Sequence, residues 1–293
     1  MKESSLLFAA FIAVNAAGCL GPGFSESRYR VEDEETIRKT LEFSSGAGPK
    51  VLEVDNVQGS IKVTGDDGRM VEMVANRTNR AESQSILQTA KQEVKLDIKD
   101  KADTIEIYVD EPGHEHSTTS SSHSRWHDRG YRVKFDFEIR LPRQAAVHLW
   151  TVNDGDIDVQ NVAGDFNVSN VNGNVSVLRA SGSGRAHTVN GQVTVGFTGN
   201  PKSESSFKTV NGTIDVTFQP DLSADLRFKT FNGGVYTDFP GTLALPRAAD
   251  TTGKRNGNFF YRSSDFSSVR VGKGGPEMSF DTLNGDVLIR QAK

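Results

Sequence analysis

Cysteine is almost absent from this 293-residue chain, since Cys19 is the only one. A single cysteine cannot close a disulfide within the chain, so the fold must depend on its own apolar core. Proline is scarce at 9 residues, and Lys plus Arg (34) do not outnumber Asp plus Glu (38). The net charge of −4 gives no electrostatic reason to expect a nucleic-acid partner. Phosphate loops, zinc-protease helices and dinucleotide fingerprints are all missing from the sequence, so it predicts no cofactor and no catalytic residues.

The N-terminus, residues 1–19, has the pattern of a secretory signal. Lys2 gives a basic start, and residues 6–14 form an apolar run that is too short for a bilayer, which needs ~20 residues. Small residues then precede Cys19, a placement that resembles the lipobox of bacterial lipoproteins, with Ala16 where Leu is usual. The simpler alternative is ordinary cleavage beside an incidental cysteine. We predict lipid attachment at Cys19, and hence a membrane partner and a place in the cell envelope, at the outer membrane or cell surface.

A short phrase returns through the second half of the chain, seen most plainly at residues 210–216 as Val-Asn-Gly-Thr-Ile-Asp-Val. Its Asn-Gly pair recurs at Asn172, Asn190, Asn211 and Asn232, which are 18, 21 and 21 residues apart. Within a copy the apolar residues share one parity, so we expect Val210 and Ile214 to face the core and Thr209 to face outward. Asn-Gly also favours a positive φ, which predicts a sharp corner at each copy.

Two arrangements fit these repeats. Asn-Gly between alternating runs is a strong hairpin signal, which would give an antiparallel meander. The best copies match at 18–21 residues, however, and this is about one coil of a β-solenoid. Stacked coils would place Asn over Asn and Thr over Thr at ~4.8 Å, forming side-chain ladders. We therefore predict an all-β fold of stacked solenoid-like coils with Asn-Gly corners.

The domain organisation follows from shifts in composition. Residues 20–36 are polar and predict a tether, and residues 37–150 form an N-terminal β region whose one helix is expected at 81–92. Within it, residues 113–130 are rich in Ser and His and predict a disordered loop. Residues 151–293 form the repeat-rich solenoid, continuous with the region before it. An excursion at 240–275 interrupts the repeats, with strands expected near 259–261 and 267–271.

Three groups of residues have spacings that partly match known metal-binding or catalytic sites. The loop histidines His114, His116, His123 and His127 have spacings that suit a metal ion, but a solvated polar loop is favoured over a site. Asp154, Asp156 and Asp158 alternate like the start of a calcium loop, without its Gly and Glu, and predict a hydrated acidic face. Gly182-Ser183-Gly184 with nearby His187 lacks the geometry of a nucleophile elbow.

Several segments together carry a resemblance to a known family. Residues 52–61 (Leu-Glu-Val-Asp-Asn-Val-Gln-Gly-Ser-Ile), residues 139–143 (Ile-Arg-Leu-Pro-Arg) and the serial Thr-Val-Asn-Gly copies resemble bacterial β-strand-repeat envelope proteins. That family is catalogued under the name "putative adhesins", with a fold described as a toast rack. The resemblance covers roughly residues 37–290 and implies a secreted or surface-anchored β-solenoid, in a family with no agreed activity.

These observations predict a non-catalytic, lipid-anchored scaffold or adhesin-like binding protein of the cell envelope. Its expected partners are the membrane, an envelope glycan or another envelope protein. Two alternatives stay open at this point. One is a carbohydrate-active β-solenoid enzyme, because fold alone does not decide activity. The other is an accessory protein of envelope-stress sensing, which only the resemblance implies.

Overall fold

The computed structural model describes residues 28–43, 48–112, 129–240, 243–244, 251–255, 258–262 and 267–293. This part of the chain is mostly β, with two large sheets and one helix, as predicted for the fold class. The strands are β1 (Val31–Glu42), β2 (Val51–Asp55), β3 (Ile61–Asp66), β4 (Met70–Ala81), β5 (Lys95–Lys101), β6 (Thr104–Asp110), β7 (Tyr131–Pro142), β8 (Ala146–Trp150), β9 (Ile157–Gln160), β10 (Phe166–Ser169), β11 (Val175–Ala180), β12 (Gly184–His187), β13 (Val193–Phe197), β14 (Ser205–Asn211), β15 (Ile214–Phe218), β16 (Ala224–Asn232), β17 (Val235–Thr237), β18 (Leu243–Ala244), β19 (Thr251–Arg255), β20 (Asn258–Arg262), β21 (Ser267–Val271), β22 (Glu277–Asn284) and β23 (Val287–Gln291). Helix α1 (Gln84–Glu93) lies between β4 and β5.

Consecutive strands of the repeat region lie in different sheets. Sheet 1 has the order β1-β4-β7-β3-β9-β11-β13-β15-β23-β17, and sheet 2 has the order β18-β21-β16-β22-β14-β12-β10-β8-β2-β6-β5. A third, two-stranded sheet pairs β19 with β20. From β8 to β15 the chain alternates between sheets 1 and 2, and each strand pairs in parallel with the strand two places on. Consecutive strands of a meander would instead pair with each other in antiparallel fashion.

The alternation of apolar residues explains these strands. Val175 and Val177 of β11 are fully buried, and their neighbours Val193 and Val195 of β13 pair with them in register. Side chains on alternate positions of a strand point to opposite faces, so both sheets bury one face against the other. Aromatic rings join the sheets in the core, where Phe207 of sheet 2 lies edge-on to Phe218 of sheet 1, with ring centroids 6.5 Å apart. Burial of each such ring contributes about 1.5–3 kcal/mol.

The last two strands of the chain lie inside the two large sheets rather than at their edges. Strand β22 lies between β14 and β16 in sheet 2, and β23 lies between β15 and β17 in sheet 1. Both pair in parallel with their neighbours on the two sides. Strands β16 and β17 therefore join the strands of the earlier repeats through β22 and β23. The excursion that precedes β22 contains β20 and β21, close to the strands predicted near 259–261 and 267–271.

The N-terminal part extends both sheets. Strands β2 and β3 pair in parallel with β8 and β9, so the two predicted regions share both sheets across residue 150. Strand β1 begins at Val31, inside the segment predicted as a tether at 20–36. Strand β1 is an edge strand, paired on one side, and it carries many charged residues. These charges obscure the alternation of apolar and polar residues that would have predicted a strand. Charged residues on an edge strand discourage pairing with another chain.

Helix α1 is close to its predicted position at 81–92 and begins at a serine cap. The Ser83 hydroxyl accepts a hydrogen bond from the backbone N–H of Ile86. At the other end, buried Arg77 donates from Nη2 to the carbonyl oxygens of Ala90 (3.3 Å) and Val94 (3.1 Å). Burial lowers the pKa of Arg77, while Glu35 and Asp33 oppose the shift. The Ala90 carbonyl oxygen already accepts the backbone N–H of Val94, so Arg77 adds a second donor there and bonds the Val94 carbonyl just beyond the helix.

Candidate functional site

The asparagines of the repeats form a hydrogen-bonded column where the chain turns from sheet 2 to sheet 1. In each bond the side-chain N–H of one asparagine donates to Oδ1 of the asparagine of the repeat beside it, over 2.6–2.8 Å. In spatial order the column contains Asn153, Asn172, Asn190, Asn211, Asn284 and Asn232. The spacing predicts that Asn172, Asn190, Asn211 and Asn232 stack in that order. This holds for the first three, but Asn284 from the end of the chain lies between Asn211 and Asn232 and bonds to both. These side-chain hydrogen bonds hold neighbouring repeats in register along the outward edge of the sheets.

The threonines before these asparagines correct one sequence prediction. Thr209 is 4% exposed and Val210 is 37% exposed, which reverses the orientations predicted from their parity. The alternation fails here because β14 ends at Asn211 and β15 begins at Ile214 in the other sheet. The buried hydroxyl is satisfied, since Thr209 Oγ1 donates to the carbonyl oxygen of Gly191 over 2.9 Å. Equivalent threonine-to-glycine bonds are made by Thr188, Thr230 and Thr282.

The glycines that follow the asparagines are required by close contact between coils. The prediction of a positive φ is wrong for Gly191, Gly212 and Gly233, which are not among the positive-φ residues of the described chain. A Cβ added at Gly212 would instead lie 1.9 Å from the carbonyl oxygen of Gly191. Side-chain atoms do not approach a carbonyl oxygen this closely, so the position admits glycine alone.

The carboxylates predicted to share an acidic face have separate partners. Asp156 Oδ1 accepts the backbone N–H of Asn174 over 2.7 Å, and so connects adjacent coils. Asp154 forms an ion pair with Arg132. Asp158 lies on β9 and is in register with Lys62 on β3. The three residues therefore do not form one cation site, and within the described ranges no group of three or more His, Cys, Asp or Glu residues could hold a metal ion.

Ser183 and His187 are not arranged as a nucleophile and its base. Ser183 is 6% exposed, and its Oγ accepts the backbone N–H groups of Lys202 (3.2 Å) and Ser203 (3.0 Å). His187 Nε2 lies 3.4 Å from Oγ of Ser206 instead. Burial lowers the pKa of His187 to about 4, helped by the positive charges of Lys208 and Arg185 and opposed by Asp281. The imidazole is therefore neutral at neutral pH.

The outer face of sheet 2 carries a group that the sequence analysis did not select. Trp150 ends β8 and is 54% exposed. Its neighbours in register are Asp55 on β2 and Ser169 on β10. Two residues earlier on β8, His148 Nδ1 lies 3.1 Å from Oε1 of Glu53. The sequence does contain a signal for this surface, which is the alternation of residues along β8. Val147 and Leu149 are buried, so His148 and Trp150 lie on the opposite, outward face.

Two predictions concern residues outside the described part of the chain. One is the lipid attachment site Cys19, and the other is the solvated loop that contains His114, His116, His123 and His127. Within the described part of the chain, no helix has the length and apolar character needed to cross a membrane.

No protein-family model matches the chain, and no curated protein matches it. Solved structures with similarity over most of their length include a "putative cell adhesion protein" from Clostridium sporogenes, with a TM-score of 0.39, 11% identity, and 88% of this chain and 100% of that chain covered. A "putative adhesin" from Bacteroides fragilis has a TM-score of 0.30 and 11% identity, covering 88% of this chain and 97% of that one. A "putative lipid binding protein" from Parabacteroides distasonis has a TM-score of 0.25 and 9% identity, with the same two coverages. These likenesses are too distant to assign an activity to this chain.

Proposed function

We propose that this chain is a non-catalytic scaffold or adhesin-like binding protein of the cell envelope, held on the membrane by a lipid at Cys19. The proposal rests on the hydrogen bonds that the repeated polar side chains form within the protein. Asparagine, threonine and aspartate side chains at the corners bond to the neighbouring coil, as in the bonds of Asn190, Thr209 and Asp156. Groups occupied in this way stiffen a surface and are poorly placed to transfer protons.

We infer that the repeats are successive coils of a β-solenoid, with the Asn-Gly pairs at its corners. The parallel pairing in both sheets and the 18–21-residue separation of bonded asparagines support this architecture. Each coil adds a strand to both sheets at a spacing of ~4.8 Å, so the outward faces grow with the number of coils. A long, rigid face of this kind suits the binding of an extended partner.

The rival function is a carbohydrate-active enzyme. Hydrolysis of a glycosidic bond in the usual mode needs two carboxyl groups about 5–9.5 Å apart, one of them with a raised pKa. Asp156 and Asp158 are the carboxylates to consider, because they alternate on one strand segment. Both oxygens of Asp156 accept hydrogen bonds from Asn174, one from the backbone N–H and one from the side-chain amide. A carboxylate engaged in this way is not free to contact a glycosidic oxygen, and this supports binding without turnover.

A co-sedimentation experiment tests the proposal. The mature chain would be mixed with purified bacterial envelopes and with a panel of insoluble polysaccharides, and the bound fraction measured. Reducing ends and unsaturated products would be followed in the same tubes. We expect binding without product. Reproducible turnover that disappears in an Asp156→Asn/Asp158→Asn double variant would refute the scaffold function, and absence of binding to every envelope fraction would refute the binding function.

A further inference from the structure

An exposed tryptophan in the middle of sheet 2 calls for an explanation. Trp150 lies on β8, which pairs with β2 on one side and β10 on the other, so it is not at a sheet edge. The core beneath it is filled by Val147 and Leu149 of the same strand, both buried. The fold therefore gains little from an indole on the outward side. Tryptophan on a surface is the residue type most enriched among groups that dominate binding energy.

The residues around Trp150 are polar and mostly planar. In its own row, Asp55, Ser169 and His187 follow in register on neighbouring strands. The row one pleat away contains Glu53, His148, Asn167 and Arg185 in register. Carboxylate, imidazole, amide and guanidinium groups offer donors and acceptors in fixed planes. His148 is already held by Glu53 at 3.1 Å, so part of this surface is ordered before any ligand arrives.

This combination fits the chemistry of a sugar ring. A pyranose has an apolar C–H face, which can lie against an indole, and a rim of hydroxyl groups that both donate and accept hydrogen bonds. The four strands β2, β8, β10 and β12 are spaced by ~4.8 Å and span about 14 Å, which is roughly the length of three linked sugar rings. The two rows therefore form a strip that crosses the strands, along the axis of the stack.

The charges on the strip indicate which sugars it would take. Glu53 and Asp55 lie at one end and Arg185 at the other, so the surface has no excess of positive charge for a polyanion. His187 adds an imidazole that burial keeps neutral at neutral pH. A chain of uncharged sugars meets no strong repulsion at either end. A polyuronate would place its carboxylates beside Glu53 and Asp55.

We propose that the outer face of sheet 2 around Trp150 binds a chain of uncharged pyranose sugars, with Trp150 stacking on one ring and the two polar rows bonding to hydroxyl groups. This inference rests on the proposed function, because it names the ligand class and the surface for a protein that binds without turnover.

Titration with a defined oligosaccharide tests the site. The chain has two tryptophans, so a Trp126→Phe background leaves Trp150 as the single fluorescent reporter. Cellohexaose would be the neutral probe, and an oligogalacturonate of equal length the charged one. We expect a saturable change in Trp150 fluorescence with cellohexaose and at least tenfold weaker binding of the galacturonate. Calorimetry would then measure the affinities of variants that lack Trp150 and therefore have no fluorescent reporter.

The variants separate stacking from general surface effects. Trp150→Ala is expected to weaken binding of cellohexaose at least tenfold, and Trp150→Tyr, which keeps a ring, less than about fivefold. Phe231→Ala is the matched control, because Phe231 is a 75% exposed aromatic on β16 of the same sheet. It should leave the affinity unchanged. Circular dichroism would show that all three variants are folded.

Four results would overturn the proposal: no binding of cellohexaose, equal affinity of wild type and Trp150→Ala, tighter binding of the galacturonate, or Trp150-dependent self-association in sedimentation velocity. The last would assign the surface to a second copy of the chain. None of these results by itself refutes the envelope-binding function, which fails separately if the co-sedimentation experiment finds no envelope binding.

Discussion

The contact between corner glycines makes the Gly212→Ala substitution a sharp test of how the coils are held together. The added Cβ would lie 1.9 Å from the carbonyl oxygen of Gly191, where real Cβ atoms stay beyond 3.0 Å. The two coils must then separate by 3.0 − 1.9 = 1.1 Å at this point. Neither atom belongs to a flexible side chain, so the shift must be taken up by the backbone.

The separation can be converted into an expected loss of stability. Three of the bonds between the same two repeats lie beside Gly212: Gly191 N–H to the Asn211 carbonyl (3.0 Å), Asn211 N–H to the Val189 carbonyl (2.8 Å), and the Thr209 hydroxyl to the Gly191 carbonyl (2.9 Å). Lengthening each by 1.1 Å would take all three beyond hydrogen-bonding distance. At about 0.5–1.5 kcal/mol for each bond, the expected loss from these three is about 1.5–4.5 kcal/mol.

Urea unfolding followed by circular dichroism would measure the effect, with Gly196→Ala as the control. Gly196 lies on β13 of the adjacent coil, and a Cβ there would meet only Leu178 Cδ2 at an ordinary 3.5 Å. That substitution should be neutral, or stabilising by up to about 1 kcal/mol, because alanine has less freedom than glycine in the unfolded chain. If the two alanine variants had equal unfolding free energies within about 0.5 kcal/mol, the close-contact explanation would be wrong.

Three further predictions address other parts of the chain. The lowered pKa of His187, about 4 against 6.5 in the unfolded chain, means that folding disfavours its proton. The contribution of His187 to stability should therefore be complete above pH 6.5. As the pH drops from 6.5 towards 4, the free energy of unfolding should fall by about 1–2 kcal/mol after solvent screening of this half-buried group. Urea midpoints should lose this pH dependence in His187→Gln, and an unchanged profile in that variant would contradict the assignment. Cys19→Ala should move the protein from the membrane fraction to the soluble fraction, because the acyl chains would supply the membrane affinity; a wild-type protein that is already soluble would exclude the anchor. Ending the chain at Gly275 removes β22 and β23, so hydrogen exchange should become fast in β17, the edge strand that β23 joins to sheet 1, while β9, β11 and β13 stay protected. Continued protection of β17 would contradict this prediction.

Period and parity in the sequence were sufficient to predict the β class and the stacking of three of the repeated asparagines. The buried residues Val133, Phe135, Phe137, Ile139 and Leu141 alternate along β7 as the pattern requires. The spacing of Asn172, Asn190 and Asn211 also predicted the column that they form. Both features are local or strictly periodic, so neighbouring residues carry the information.

Parity failed at the corners, where geometry between coils replaces the rule for a single strand. Thr209 and Val210 exchange their expected orientations because the chain changes sheets immediately after Asn211. Gly212 was explained by backbone conformation, while the structure shows contact with Gly191 on another coil. The surface around Trp150 was missed for a related reason. Its neighbours Asp55 and Ser169 are distant in sequence, and only the pairing of β2, β8 and β10 brings them together.

The position of the C-terminal coil shows most clearly what a repeat pattern does not encode. Residues 279–290 repeat the phrase well enough to be identified as a coil, but repetition does not specify the order of stacking. Asn284 bonds to Asn211 on one side and Asn232 on the other, and Phe280 lies 5.3 Å from Phe207 between ring centroids. Any repeat with asparagine, glycine and a core aromatic residue at the same positions could make these contacts with β14 and β15. The long connection from β17 to β22 lets the last repeat reach β14 and β15, and β16 and β17 then pair with its far side. The order of the strands in both sheets is therefore decided by chain connectivity, and β22 and β23 join β16 and β17 to β14 and β15.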